Sequence, residues 1–133
     1  MASRTQSRPE RVPGTVGLAE LASTDPSATR GFLEKVFDWK FDSVPMPQGE
    51  YHIHSSHQGM GVGVVSTRPK QLPSSTNYIL VKDLKETEAR VRKMGGEVVL
   101  PRTEIPGMGS FFWFKAPGGP VLACWQDAQT SGR

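Results

Sequence analysis

Apolar positions along this chain follow two rhythms, and the rhythms come round twice. Over residues 15–22 they alternate, with Val16, Leu18, Glu20 and Ala22 on one face and Gly17, Ala19 and Leu21 on the other. That alternation predicts a strand with a carboxylate in the middle of one face. The rhythm then changes. Ala28, Phe32, Leu33, Val36 and Phe37 recur at helical spacing behind Thr24, Asp25 and Pro26, a start signal with Asp25 as N-cap and Pro26 in the first turn. The stripe predicts a helix that buries these five side chains and ends near Asp38. Residues 39–41 alternate and read as a short strand, and residues 44–49, with two prolines and a glycine, as a loop. Residues 51–55, carrying His52 and His54, and the Gly-rich residues 59–65 read as two more strands. A Pro-containing connector fills residues 67–74.

The second cycle begins at residue 76. Residues 76–81 read as a strand, Asp83 as an N-cap, and Leu84, Thr87, Val91 and Met94 as a helical stripe stopped by Gly95 and Gly96. Three extended runs follow, at residues 97–100, 110–114 and 121–125, separated by Gly and Pro clusters, as in a meander. The cycles superpose without a gap at the spacing from Asp25 to Asp83. Leu18 then meets Thr76, Phe41 meets Val99, Ile53 meets Phe111 and Val65 meets Ala123. Two copies indicate a duplicated βαβββ unit, since a solenoid needs three or more. The expected fold is α+β: two tandem modules, approximately residues 13–67 and 74–126, forming a cleft of curved mixed sheets. Such a cleft is a usual place for a small-molecule site. Residues 1–12 and 127–133 read as a disordered leader and a tail.

Composition narrows the function. A chain of 133 residues is one domain able to bury most of its apolar surface. No run approaches the roughly 20 apolar residues of a membrane span, and residues 1–14 lack the apolar stretch of a secretory signal. The single cysteine, Cys124, cannot form an internal disulfide, which points to the cytoplasm. The net charge is +3, but Arg4, Arg8 and Arg11 sit in the leader against Glu10, so the core is near neutral. The densest basic cluster, Arg90, Arg92 and Lys93, shares its helix with Glu86 and Glu88, a solvated face rather than a nucleic-acid footprint.

Several stretches together carry a resemblance. These are Asp25-Pro26 before the first helix, the run FLEKVFDWKF over residues 32–41, VKDL over 81–84, GGEVV over 95–99, IPGMG over 105–109, and Pro117-Gly118-Gly119 before a strand ending in Trp125. On them the chain resembles the vicinal oxygen chelate superfamily, which unites glyoxalases, bleomycin-resistance proteins and extradiol dioxygenases. The resemblance covers roughly residues 13–126 and implies the paired-module fold and a homodimer. It does not fix an activity, because the superfamily includes isomerases, lyases, dioxygenases and drug-sequestering proteins.

Catalytic members hold a divalent metal with one donor from the first and one from the last strand of each module. The resemblance places those positions at Leu18, Val65, Thr76 and Ala123. Leu, Val and Ala have no donor and Thr is a poor one, so the usual metal is not expected and no cofactor is predicted. The alternative is a displaced divalent metal at His52, His54 and Glu20.

The other candidates are for binding. Glu20, mid-strand on the face expected to line the cleft, reads either as a general base or hydrogen-bond acceptor for a substrate, or as a structural carboxylate held by backbone N–H groups, Tyr78 or Trp125. Tyr78 and Trp125 share the face of Thr76 and Ala123 and suit a flat apolar ligand. Of the aromatic run, either Phe111 with Trp113 or Phe112 with Phe114 faces the cleft. Cys124 reads as a buried structural thiol. Gly59, Gly61 and Gly63 lack the following helix that a phosphate loop needs. The expected function is therefore metal-independent binding of a small, largely apolar molecule by Glu20, Thr76, Tyr78, Trp113 and Trp125. The alternatives are a lyase, isomerase or dioxygenase-type enzyme with the displaced metal, and a metal-free enzyme with Glu20 as base.

Overall fold

The computed structural model describes residues 12–46, 49–55 and 60–128. The expected leader as far as residue 11, Gly59 and the tail from residue 129 lie outside the described residues. The elements run β1 (Val16–Ser23), α1 (Pro26–Phe37), β2 (Asp42–Met46), β3 (Gly49–His54), β4 (Gly61–Ser66), β5 (Ser74–Leu80), α2 (Leu84–Lys93), β6 (Glu97–Ile105), β7 (Gly109–Lys115) and β8 (Val121–Asp127). The class is α+β, with the βαβββ order stated twice.

The described residues divide into two compact units, one within residues 17–76 and the other comprising residues 12–16 and 77–128. In the first unit the strands lie in the order β2-β3-β4-β1, and in the second β6-β7-β8-β5. Each unit sets its last strand parallel to its first, as β1 with β4 and β5 with β8, and joins the rest antiparallel.

Capping residues start both helices. Asp25 Oδ1 accepts from the Ala28 N–H at 3.1 Å, and Asp83 Oδ1 from the Glu86 N–H at 3.0 Å. Asp38 closes α1 in the left-handed conformation, and Gly95 follows α2 at φ 98°. Each cap satisfies backbone groups the helix leaves open. Met94, expected in the apolar stripe of α2, is its C-cap and is 74% exposed, because the helix has already ended.

In the second unit α2 packs on one sheet face. Leu84, Phe112 and Cys124 are buried there, with Val81, Val91, Val98 and Phe114 around them. The first unit is built differently. No residue of α1 is buried, and of the expected apolar stripe Leu33 is half-buried whereas Phe32 is 63%, Val36 53% and Phe37 54% exposed. Polar side chains hold the helix instead. Arg30 Nη1 donates to Ser43 Oγ at 2.8 Å, and its Nη2 donates to the Phe41 carbonyl at 2.6 Å. Arg30 Nη1 also lies 3.1 Å from His52 Nδ1, and Arg30 Nε pairs with Glu34 at 3.2 Å.

The same network explains a second departure. Residues 39–41 are not a strand, because the Phe41 N–H donates to Glu34 at 3.2 Å and its carbonyl accepts from Arg30, so side chains take the bonds a ladder would use. The strand is β2, over residues expected to be loop. Pro45 is tolerated there because β2 is the edge strand of its unit, where a missing donor costs little.

The repeat needs a gap after all. Asp42 faces Ile53 across β2 and β3, whereas Leu100, at the same place in β6, faces Trp113. Two register shifts in β6, at Val98/Leu100 and Leu100/Thr103, take up the extra residues. The third and fourth strands therefore match two residues later than expected. Glu20 faces Gly63 and Tyr78 faces Ala123, while Val65 sits opposite Ala22.

Candidate ligand-binding site

The second unit answers which aromatics share a face. Strand alternation sends Phe112 and Phe114 into the core under α2, so Phe111 and Trp113 project from the opposite side. Tyr78, Ala123 and Trp113 lie in one row across β5, β8 and β7. Ala123, fully buried and small, leaves room above it. Across that space the Trp113 indole N–H donates to the Tyr78 hydroxyl at 2.9 Å. The ring of Phe111 meets Tyr78 edge-on at 6.0 Å and stacks with Trp125 at 6.2 Å between centroids. Trp125 Nε1 donates to Asp127 Oδ1 at 2.8 Å. Its ring covers Gly109, where a Cβ would come within 2.6 Å of Trp125 Cζ2. Tyr78 and Phe111 are buried, and Trp113 and Trp125 are half-buried. Three of the expected binding residues, Tyr78, Trp113 and Trp125, are thus brought together with Phe111.

The first unit has a related arrangement. Glu20 accepts a hydrogen bond from the Tyr51 hydroxyl at 2.8 Å. Gly63, opposite Glu20, makes room for the tyrosine ring, since a Cβ there would lie 2.6 Å from Tyr51 Cε1. In both units a first-strand side chain is hydrogen-bonded to an aromatic of the third strand, beside a small residue on the fourth. Tyr51 was missed in the sequence, where Tyr78 or Trp125 was considered as the partner of Glu20. Its only signal was a tyrosine two residues from Ile53 on the same face. Thr76, the remaining binding candidate, is buried.

The displaced metal site does not assemble. His52 and His54 project from the face of β3 opposite Tyr51, toward α1 and the 39–41 segment. His52 lies beside Arg30 and Ser43, and His54 Nδ1 is 3.0 Å from the Lys40 carbonyl, its ring stacked on Trp39 at 4.5 Å. Glu20 is on the Tyr51 side. Among the described residues, no three His, Cys, Asp or Glu side chains converge. The four positions of the usual metal do not fit one either. Leu18, Val65 and Ala123 offer no donor, and the register sets Val65 opposite Ala22 rather than Leu18.

Burial pushes the Cys124 thiol up to about 11, so it is neutral at physiological pH and a poor nucleophile. The second unit also has two open depressions of about 360 and 370 Å³. One is lined by Asp83, Leu84, Arg102 and Gln126 among others, the second by Arg90, Val91, Met94 and Phe114 among others. Neither touches Tyr78, Trp113 or Trp125. Charged side chains of both signs rim the first, and the second is a groove beside α2. The aromatic face carries the more specific chemistry, because its rings are fixed by hydrogen bonds and stacking.

The chain is similar to named proteins at the level of sequence. It is 28% identical over 125 residues to CFP32 of Mycobacterium bovis, named as a glyoxylase, covering 90% of this chain and 48% of that protein. It is 24% identical over 136 residues to the anthracycline biosynthesis protein DnrV of Streptomyces peucetius, covering 90% of this chain and 50% of the relative. The fold is that of a glyoxalase/bleomycin resistance protein/dioxygenase superfamily member from Vibrio splendidus, with a TM-score of 0.60 and 18% identity over 84% of this chain and 97% of that one. The chain has the fold of the vicinal oxygen chelate superfamily, and the relatives named for glyoxylase and anthracycline biosynthesis support a link to that family. Another structure of this fold is methylmalonyl-CoA epimerase from Mycobacterium tuberculosis, with a TM-score of 0.67 and 11% identity over 86% of this chain and 88% of that one. No family model matches the chain. The chain spans about half the length of the curated relatives it matches.

Proposed function

We propose that this glyoxalase-like protein binds a small, largely apolar, planar molecule against the aromatic face of its second unit, without a metal. The observation that supports the reading is the hydrogen-bonded Trp113–Tyr78 pair with Phe111 and Trp125 on one side of the sheet. Aromatic side chains of this kind offer stacking surface at low entropic cost, and their N–H and O–H groups orient a ligand. A relative named for anthracycline biosynthesis is in keeping with an aromatic ligand. Glu20 and Thr76, also expected as binding residues, belong to the first unit and are not part of this proposed face. The location we propose is the cytoplasm, resting on the lone buried thiol; no helix among the described residues is long and apolar enough to cross a membrane.

The test is tryptophan fluorescence during titration with 2-naphthol and, separately, with cyclohexanol. Saturable quenching by 2-naphthol, weakened about fivefold in Trp113→Leu, is expected for a stacking site, where one lost aromatic contact is worth roughly 1 kcal/mol. Equal affinity for cyclohexanol, or no loss in Trp113→Leu, would overturn the reading. A second reading, a metal-free enzyme with Glu20 as base, has its support in the Tyr51–Glu20 hydrogen bond, which fixes the carboxylate. Under that reading Glu20→Gln abolishes turnover of a substrate found by screening and leaves its binding intact.

A further inference from the structure

The two tryptophans of the aromatic face are the rings a ligand meets first. Tyr78 and Phe111 are buried, whereas Trp113 and Trp125 are only half-buried. Each indole is also tied down through its N–H. Trp113 Nε1 donates to the Tyr78 hydroxyl at 2.9 Å, and Trp125 Nε1 to Asp127 Oδ1 at 2.8 Å. Trp125 is held from two further sides. Its ring lies 16° from the plane of Phe111 at 6.2 Å between centroids, and it covers Gly109, where a Cβ would come within 2.6 Å of Trp125 Cζ2. Both rings are therefore set before a ligand arrives, and binding does not have to order them.

Their spacing bears on the size of that ligand. Trp113 on β7 faces Ala123 on β8, and Trp125 lies two residues further along β8. Diagonal neighbours of an antiparallel pair are about 7–8 Å apart. One benzene ring is too short to lie over both indoles, whereas three rings fused in a line are long enough. A rigid molecule that reaches both makes its second contact without a second loss of translational freedom.

We propose that the ligand is a flat, fused aromatic of three or more rings, lying across Trp113 and Trp125 at once. This inference rests on the binding reading above and adds that the two indoles are separate anchors for one molecule. Asp127 is then a positioning residue, which holds the second indole at its N–H.

The test compares phenol, 2-naphthol and 2-anthrol, the same hydroxyl on one, two and three fused rings, by equilibrium dialysis against the full chain. A fourth ligand, 9,10-dihydro-2-anthrol, has the carbons of 2-anthrol bent out of one plane. 2-Anthrol is expected to bind about fivefold or more tightly than either 2-naphthol or the dihydro compound, the worth of one further aromatic contact. That comparison needs no substitution. Trp125→Leu should weaken 2-anthrol about fivefold and phenol by less than half as much, and Trp125→Phe should recover most of the loss. Asp127→Ala should weaken 2-anthrol about threefold, while Asp127→Asn, whose side-chain carbonyl still accepts from the indole, keeps the wild-type affinity. Equal affinity for 2-anthrol and 2-naphthol, or for 2-anthrol and its dihydro form, would overturn the inference and leave the binding reading standing. So would a Trp125→Leu loss as great for phenol as for 2-anthrol. Asp127→Asn as weak as Asp127→Ala would overturn the positioning role. Failure of 2-naphthol itself to bind would overturn the reading and the inference together.

Discussion

Gly63 is the residue on which the first unit's polar pair depends. Tyr51 lies where a side chain at 63 would be, and from there its hydroxyl reaches Glu20. Gly63→Ala is expected to push the ring aside and cost about 1–3 kcal/mol, the usual range for overpacking, measured by urea unfolding. Loss of less than a few tenths would show that Tyr51 moves without penalty. Cys124 makes a second prediction. Its thiol has a folded value of about 11 against an ordinary 9.0, so the folded protein holds its proton more tightly than the unfolded chain. The stability this contributes is complete below pH 9 and is lost as the pH rises through 11, on the order of 3 kcal/mol in all. Cys124→Ala should flatten that part of the profile, and the native thiol should resist Ellman's reagent at pH 8 until the protein is denatured. At this scale the sequence was legible where the interaction is local. Asp25 and Asp83 cap helices through residues three positions away. Tyr51 and Glu20 are 31 positions apart, and nothing between them announces that they meet.

Helix α1 shows how a legible element can be read with the wrong face inward. Its boundaries follow from Asp25, Pro26 and Asp38, all local signals, but periodicity alone cannot say that a polar network will win the sheet-facing side. It wins because the Arg30 guanidinium places its Nη1 on Ser43 and its Nη2 on the Phe41 carbonyl, an arrangement that needs a planar fork. Glu34 adds the Phe41 N–H. Phe32, Val36 and Phe37 are then left outside. Arg30→Ala should cost about 1–3 kcal/mol, since it removes donors from partly buried acceptors, and Arg30→Lys should recover little of it. Urea midpoints for the two variants check this, and full rescue by lysine would mean that charge alone holds the helix. β2 teaches the same lesson from the opposite direction. Two prolines and a glycine made residues 44–49 look like a loop, yet an edge position removes the objection to Pro45.

The duplication was legible because two helix starts and two helix stops recur at one spacing. The slip of two residues was not, because the register shifts of β6 leave no mark in composition. That slip changes which residues share a row, and so bears on the metal. On the faces that carry Glu20 and Tyr78, the first-strand and fourth-strand residues opposite each other are Leu18 with Gly61, Glu20 with Gly63, Ala22 with Val65, Tyr78 with Ala123 and Leu80 with Trp125. Only Glu20 among them is a good donor for a divalent cation, and one carboxylate already accepting from Tyr51 makes a weak site. The imidazoles that could add to it, His52 and His54, are directed to the other side of their sheet. The molecule as a whole should therefore be indifferent to metal. A native-state ligand at a hundred times its Kd stabilises by about 2.7 kcal/mol, which for a domain of this size raises Tm by roughly 8–10 °C. Zinc, nickel or manganese chloride added to chelator-treated protein should instead move Tm by less than about 1 °C, a shift corresponding to a few tenths of a kcal/mol. A rise of several degrees with any one of them, abolished by Glu20→Gln, would show that the carboxylate recruits a cation through residues outside its own row.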